Sequence, residues 1–193
     1  MNKSTFIFIG NHFVTDFVNT RKNVKGIRTE LLSNFECLIQ WLQETDRLTL
    51  LEGDLLALSP QNQAKMLSEI VAIRLNLEND MESIVNEMKL TATLLEELNK
   101  QLLHYRSHLQ INSEQSALQI VRKYSLDNLP GLFLDEIAFF MTSIVPVKLK
   151  RCKNPACILY FYDNSKNQHR LWCSMDTCGN RVKVNNHYHR MKK

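Results

Sequence analysis

Four of the five cysteines crowd into the last quarter of the chain as two pairs. Cys152 and Cys157, then Cys173 and Cys178, are each separated by four residues, with fifteen residues between the pairs. The segment that holds them, residues 148–193, is too short to bury enough apolar surface to fold firmly alone, so it needs a covalent or metal staple. Two disulfides are one solution. Cys37 leaves an odd thiol over, however, and the chain start shows only Lys3 and a four-residue apolar run with no small-residue cleavage site, so it does not read as an export signal. A cytoplasmic, reducing location is expected, and there two close thiol pairs favour one tetrahedral zinc ion, Zn2+. The other metal arrangement replaces one thiol by His169, His187 or His189 and opens a coordination position. A closed four-thiolate shell leaves no room for water or substrate and is structural rather than catalytic. Cys37 falls on an apolar helix face and reads as a small core residue.

Charge follows the cysteines. Residues 1–147 carry 13 Lys+Arg and 18 Asp+Glu, and residues 148–193 carry 11 and 2, so the formal charges are −5 and +9. A basic module behind an acidic body points to nucleic acid, because phosphate attraction needs clustered charge, while a solvated basic tail is the plain alternative. With 44% hydrophobic residues in 193, the chain holds enough for one sizeable core and a small annex. No apolar run approaches the ~20 residues needed to span a bilayer, so no membrane association is expected. No phosphate-binding loop, dinucleotide fingerprint or nucleophile–base–orienter set is present, and an enzyme is not expected.

The spacing of apolar residues predicts a mainly α protein with one β-hairpin, an α+β class. Phe6 and Phe8 suggest a short strand before Gly10. Phe35, Leu38, Ile39 and Leu42 lie at helical spacing behind a cap at Ser33 or Asn34. Ser59-Pro60 opens a long amphipathic helix that should break near Asn79-Asp80 or at 91–93, with Leu94, Leu95, Leu98 and Leu102 on a second helix. Residues 105–122 alternate around a polar loop as a hairpin, and Pro130-Gly131 opens an apolar helix that Pro146 ends. The division drawn from this is a helical domain over 1–147, able to fold without the rest, and a finger over 148–193. In the finger, Leu159–Tyr162 is expected to pair with 168–172 around a loop that Asp163 turns, and a last helix starts at the second cysteine pair, a treble-clef-like order. Trp172 reads as core, and Tyr160 and Tyr162 read as stacking platforms.

The finger residues also resemble a known family. Arg151-Cys152, Cys157, Phe161, Asp163, Ser165, Arg170, Trp172-Cys173-Ser174-Met175 and Cys178-Gly179-Asn180-Arg181 are similar, in order, to the CGNR zinc finger. In that family the finger follows an N-terminal ABATE domain, a stress-sensing region, whose opening Gly10, Asp16, Phe17, Val18, Asn19 and Thr20 resemble. Asn11 and Val14-Thr15 depart from that pattern, which usually has a second Gly and a Leu-Ala. The resemblance implies a transcription regulator that binds double-stranded DNA through the finger and senses stress or a small-molecule signal with the rest. The competing reading is an adaptor whose finger binds protein or structured RNA.

Site residues follow. The expected metal ligands are Cys152, Cys157, Cys173 and Cys178. On the last helix Val184, Tyr188 and Met191 should pack on the finger, and Asn180, Lys183, Asn186, His187 and Arg190 should face nucleic acid; Arg181 either reaches a phosphate or supports a ligand sulfur. Asp16, Asn19 and Arg74 are candidates for a ligand pocket, against roles as helix caps and a salt-bridged arginine. A homodimer is expected because many duplex readers pair half-sites.

Overall fold

The computed structural model describes residues 6–114 and 117–191; the side chains of Leu56, Glu114, Asn186, His189 and Arg190 lie outside that description, as does Lys3. The elements are α1 (Phe13–Val18), β1 (Arg21–Val24), β2 (Ile27–Glu30), α2 (Phe35–Glu44), β3 (Leu51–Glu52), α3 (Pro60–Glu87), α4 (Ala92–Leu102), β4 (His108–Glu114), β5 (Ala117–Ser125), α5 (Leu129–Ser143), β6 (Leu149–Arg151), β7 (Tyr160–Tyr162) and α6 (Asn180–Met191), joined by short 3₁₀ turns. The class is α+β, as the sequence implies. Among the described residues no helix is long and apolar enough to cross a membrane.

Local chemistry explains most boundaries. The Asn34 side chain accepts the Cys37 amide at 2.8 Å and starts α2. The Ser59 hydroxyl accepts from Asn62 and Pro60 takes the first helical position of α3. α3 runs through Asn79-Asp80 without a break and ends at Met88, whose φ is 55°; Thr91 then caps α4. Residues 6–9 form no strand.

The chain folds into two compact units that do not follow chain order. One comprises residues 1–31, 77–90 and 143–193, the other residues 32–76 and 91–142. The finger shares its compact unit with the N-terminal segment and the last turns of α3. The first unit carries 17 Lys+Arg and 8 Asp+Glu, the second 7 and 12, so the formal charges are +9 and −5.

In the second unit the core is built on α2 and α5, with Leu38, Trp41, Leu42, Leu129, Leu132 and Phe133 fully buried and Trp41 stacked on Phe133 at 5.8 Å. Burying six such side chains contributes on the order of 10 kcal/mol before chain entropy is set against it. Arg47 pairs with Glu136 at 2.6 Å, and the Tyr124 hydroxyl donates to Asp135 at 2.7 Å. β5 pairs antiparallel with β4 and parallel with β3.

In the first unit β6 and β7 are antiparallel, with Leu149 opposite Tyr162 and Arg151 opposite Tyr160. The strand partner of 160–162 is therefore 149–151, not 168–172, because residues 163–170 gather around the buried Asp163 carboxylate instead of extending.

Candidate metal centre and its support

The connection between β6 and β7 is the first cysteine knuckle. Asn154 shapes it: its Oδ1 accepts the Ala156 amide at 3.1 Å and its carbonyl accepts from Cys157 at 2.8 Å. The second pair is presented by a wide turn over Met175–Gly179, in which Cys178 and Gly179 amides donate to the Ser174 carbonyl. These two devices bring the sulfurs of Cys152, Cys157, Cys173 and Cys178 within 4.8 Å of one another.

The distances suit a metal and not a bridge. Cys157 and Cys173 sulfurs stand 3.7 Å apart, whereas a disulfide requires about 2.05 Å. Sulfurs around a tetrahedral zinc with ~2.3 Å bonds are separated by about 3.8 Å. All five cysteines are free thiols, and Cys37 lies in the other unit beside Ser33. Hydrogen bonds from Cys157 and Cys173 pull the Cys152 thiol well below its usual range; the same cluster pushes Cys157 and Cys173 up. Four thiolates at this spacing therefore need a cation among them, and a soft sulfur donor set with no carboxylate fits zinc.

The sulfurs sit in a small core. Ile158, Leu159 and Phe161 are buried with the ligands, and Ile7, Ile9 and Trp172 pack against them. Trp172 takes the core place expected of it. Gly179 explains the tight fit of the Cys-Gly-Asn-Arg turn, since a Cβ there would lie 2.9 Å from Trp172 Cδ1 and meet the Met175 sulfur. Gly179→Ala should destabilise the finger by roughly 1–3 kcal/mol. Zinc transfer to a chromophoric chelator is then expected to run about tenfold faster or more, and an unchanged rate would show that the turn relaxes freely.

Of the polar support, the sequence points only to Asp163 as the residue that turns its loop. Asp163 is fully buried and accepts from the Lys150 ammonium and the Ser165 hydroxyl at 2.6 Å and from the Ser165 and Arg170 amides at 3.0 Å. Burial alone would raise its carboxyl, yet the Lys150 and Ser165 side chains and the two amides hold it well below the usual carboxylate range. Arg170 lies 4.1 Å over the Phe161 ring and donates to the carbonyls of Trp172 and Ile9 at 3.0 and 2.9 Å, and to that of Cys173. Glu82 on α3 accepts from the Tyr160 hydroxyl and, at 3.0 and 2.9 Å, from Arg151; Tyr160 foremost holds its carboxyl below the ordinary range.

The N-terminal segment completes this centre. Asn19 pairs with both backbone groups of Tyr160, accepting at 2.9 Å and donating at 2.8 Å, as a neighbouring strand would. The Gly10 carbonyl accepts the Tyr162 amide at 2.7 Å. Asp16 accepts the Gly10 amide at 2.7 Å; burial pushes its carboxyl up to about 6 against the Gly10 and Ile9 backbone and the nearby Arg170.

Several expected site residues are therefore reassigned. Asp16 and Asn19 hold backbone within the finger unit, and Arg74 is fully buried in the other unit, so the three do not form a pocket within either one. Tyr160 is buried and Tyr162 holds the Val145 amide at 3.0 Å, so neither is an open stacking platform. Val184, Tyr188 and Met191 form no buried stripe: they are 68%, 58% and 76% exposed, although Val184 and Tyr188 line a shallow groove with Asn154, Pro155 and Ala156 of the first cysteine knuckle. Asn180, Arg181, Lys183 and His187 are exposed on α6, while the side chains of Asn186 and Arg190 lie outside the described residues.

No curated protein matches the chain. The family model of the CGNR zinc finger matches residues 148–191, which hold all four cysteines, and the chain thus carries a zinc-finger domain with a four-cysteine metal site.

Proposed function

We propose that this protein is a transcription regulator that binds double-stranded DNA through its finger unit. The observation that supports this best is α6: it leaves the metal centre directly after Cys178-Gly179, presents Asn180, Arg181, Lys183 and His187 to solvent, and belongs to the unit of charge +9. Cationic and amide donors on an exposed helix suit phosphates and base edges. A helix of 12 residues is marginal alone, and its anchorage in the metal turn supplies the order that reading a duplex requires.

Sensing of stress or of a small molecule is the second half of the proposal and rests on the ABATE-like opening. Because Gly10, Asp16 and Asn19 are bonded into the finger unit, any signal that displaces residues 9–20 acts on β7 directly, with no separate relay. A homodimer has a surface to use in the other unit: Leu109, Ile111, Leu118 and Ile120 are 62–78% exposed on the hairpin whose β4 is a sheet edge.

Titration of a labelled 30-base-pair duplex in a salt series tests the reading. Affinity should fall linearly on logarithmic axes, and Arg181→Ala and Lys183→Ala should each flatten the slope by about 0.9 while zinc content stays constant. The stoichiometry should be two chains per site. Absence of salt-dependent duplex binding would overturn the proposal. The exposed Val184, Tyr188 and Met191 favour the second reading, an adaptor whose α6 docks in a protein groove, in which case Tyr188→Ala would abolish partner capture and leave the salt slope alone.

A further inference from the structure

We propose that the ribbon β1–β2 is a second DNA-contacting element, a basic wing beside α6; this rests on the duplex-binding reading above. Its ten residues, Arg21–Glu30, hold four basic side chains and one acidic. The strands pair from Arg21 opposite Glu30 to Val24 opposite Ile27, and the two residues between, Lys25 and Gly26, have φ of 51° and 87°. Positive φ at both central positions is the pattern of a tight hairpin turn matched to strand twist, and glycine supplies one of them at no steric cost.

The ribbon buries no face of its own. Val24, Lys25, Gly26, Ile27 and Arg28 are exposed in succession, Ile27 by 70%. A core-forming hairpin would bury alternate residues. This one keeps its apolar tip in solvent, with a lysine between the two apolar residues. It is nevertheless held firmly at its base: Arg21 pairs with Glu78 of α3, and Asn23 Nδ2 donates to the Ala156 carbonyl of the first cysteine knuckle at 3.1 Å. Glu78 also stands 4.0 Å from Arg28, so it offsets part of the ribbon's charge and leaves Lys25 at the tip.

The position of the ribbon gives it a partner. Lys22 and Asn23 at the base of the ribbon line the cavity of the metal centre together with Cys157, Cys173, Cys178 and Arg181, so a cation of the ribbon and a cation of the first turn of α6 both stand beside the four sulfurs. An exposed helix and a narrow two-stranded ribbon that both start at the metal centre, both cationic, fit two contacts on one duplex. Phosphates would meet Lys25 and Arg28, and Ile27 would enter the minor groove as an apolar wedge.

The test uses the full-length zinc-loaded protein, a 30-base-pair duplex and a salt series. Lys25→Ala/Arg28→Ala should flatten the logarithmic slope by about 1.8, two phosphates' worth, and weaken binding at least tenfold at low salt. Ile27→Ser should weaken binding several-fold and leave the slope alone. Lys65→Ala, an exposed lysine of the other unit, should change neither. Lys25→Glu, at the solvent-exposed turn, keeps the test independent of folding and should weaken binding further than alanine. If the ribbon variants behave as Lys65→Ala does while Lys183→Ala still flattens the slope, the wing is refuted and the α6 reading survives. A wild-type protein without salt-dependent binding refutes both. Loss of binding to anionic vesicles, with duplex binding intact, assigns the ribbon to a membrane surface and refutes the wing.

Discussion

Serine in place of any one of Cys152, Cys157, Cys173 or Cys178 should take the protein from one zinc per chain to almost none. Metal affinity in such centres is folding free energy, on the order of 10 kcal/mol, and no other group in the small core around Phe161 replaces it. The loss should also spread beyond the finger in a defined direction. Ile9, Gly10 and Asn19 are bonded to Arg170, Tyr162 and Tyr160, so residues 9–20 should lose hydrogen-exchange protection together with β6 and β7. The core around Trp41 and Phe133 belongs to the other unit and should keep its protection. Elemental analysis and site-resolved exchange check both parts. A variant that retains one zinc per chain would sink the ligand assignment, and unchanged exchange at residues 9–20 would show that the N-terminal segment folds without the metal centre. Cys37→Ser should retain full metal content.

The metal ligands were legible because cysteine spacing is local and its chemistry has few solutions. Helix starts at Asn34 and Pro60 were legible for the same reason: a cap acts within three residues of itself. What sequence reading missed joins residues far apart in the chain. Asn19 and Tyr160 are separated by 141 positions, and an asparagine that serves as a strand partner looks like any helix-end asparagine. Asp16 and Arg74 are buried charged residues, and a ligand pocket and a structural role leave the same pattern in the sequence. Val184, Tyr188 and Met191 have the spacing of a stripe that packs on the finger, but spacing does not say how much of it is covered. The hairpin over β4 and β5 was visible from alternation, whereas the shorter ribbon Arg21–Glu30 was hidden by its charges. Its one available signal was Lys25-Gly26 between Val24 and Ile27.

Asp163→Ala should be the most damaging substitution in the finger outside the metal ligands. The carboxylate accepts four hydrogen bonds, and its removal leaves the Lys150 ammonium and the Ser165 and Arg170 amides without it in a site where Asp163 itself has no solvent exposure. Removing one partner of a buried, hydrogen-bonded charge pair costs about 3 kcal/mol or more, a sizeable share of a domain's total stability. For a chain of this size that corresponds to a fall in Tm of roughly 6–12 °C. Lys150 also donates to the Gln168 and Arg170 carbonyls, so the loop it gathers should loosen with it. The pH dependence has a fixed sign. A carboxyl held lower in the folded state than in the unfolded chain stabilises the fold fully above about pH 4, and the contribution is lost as pH falls below that. The difference between wild type and Asp163→Ala should accordingly be constant from pH 6 to 8 and shrink only in acid. Replacing both partners, in Lys150→Met/Asp163→Ala, should recover part of the loss, because no ammonium is then left without its carboxylate. Thermal melts of the zinc-loaded proteins at pH 6, 7 and 8 measure the loss, its constancy over that range and the recovery in the double variant. A single variant that melts within 2 °C of wild type at pH 7 would show that the loop over 163–170 is held by its backbone and not by this carboxylate.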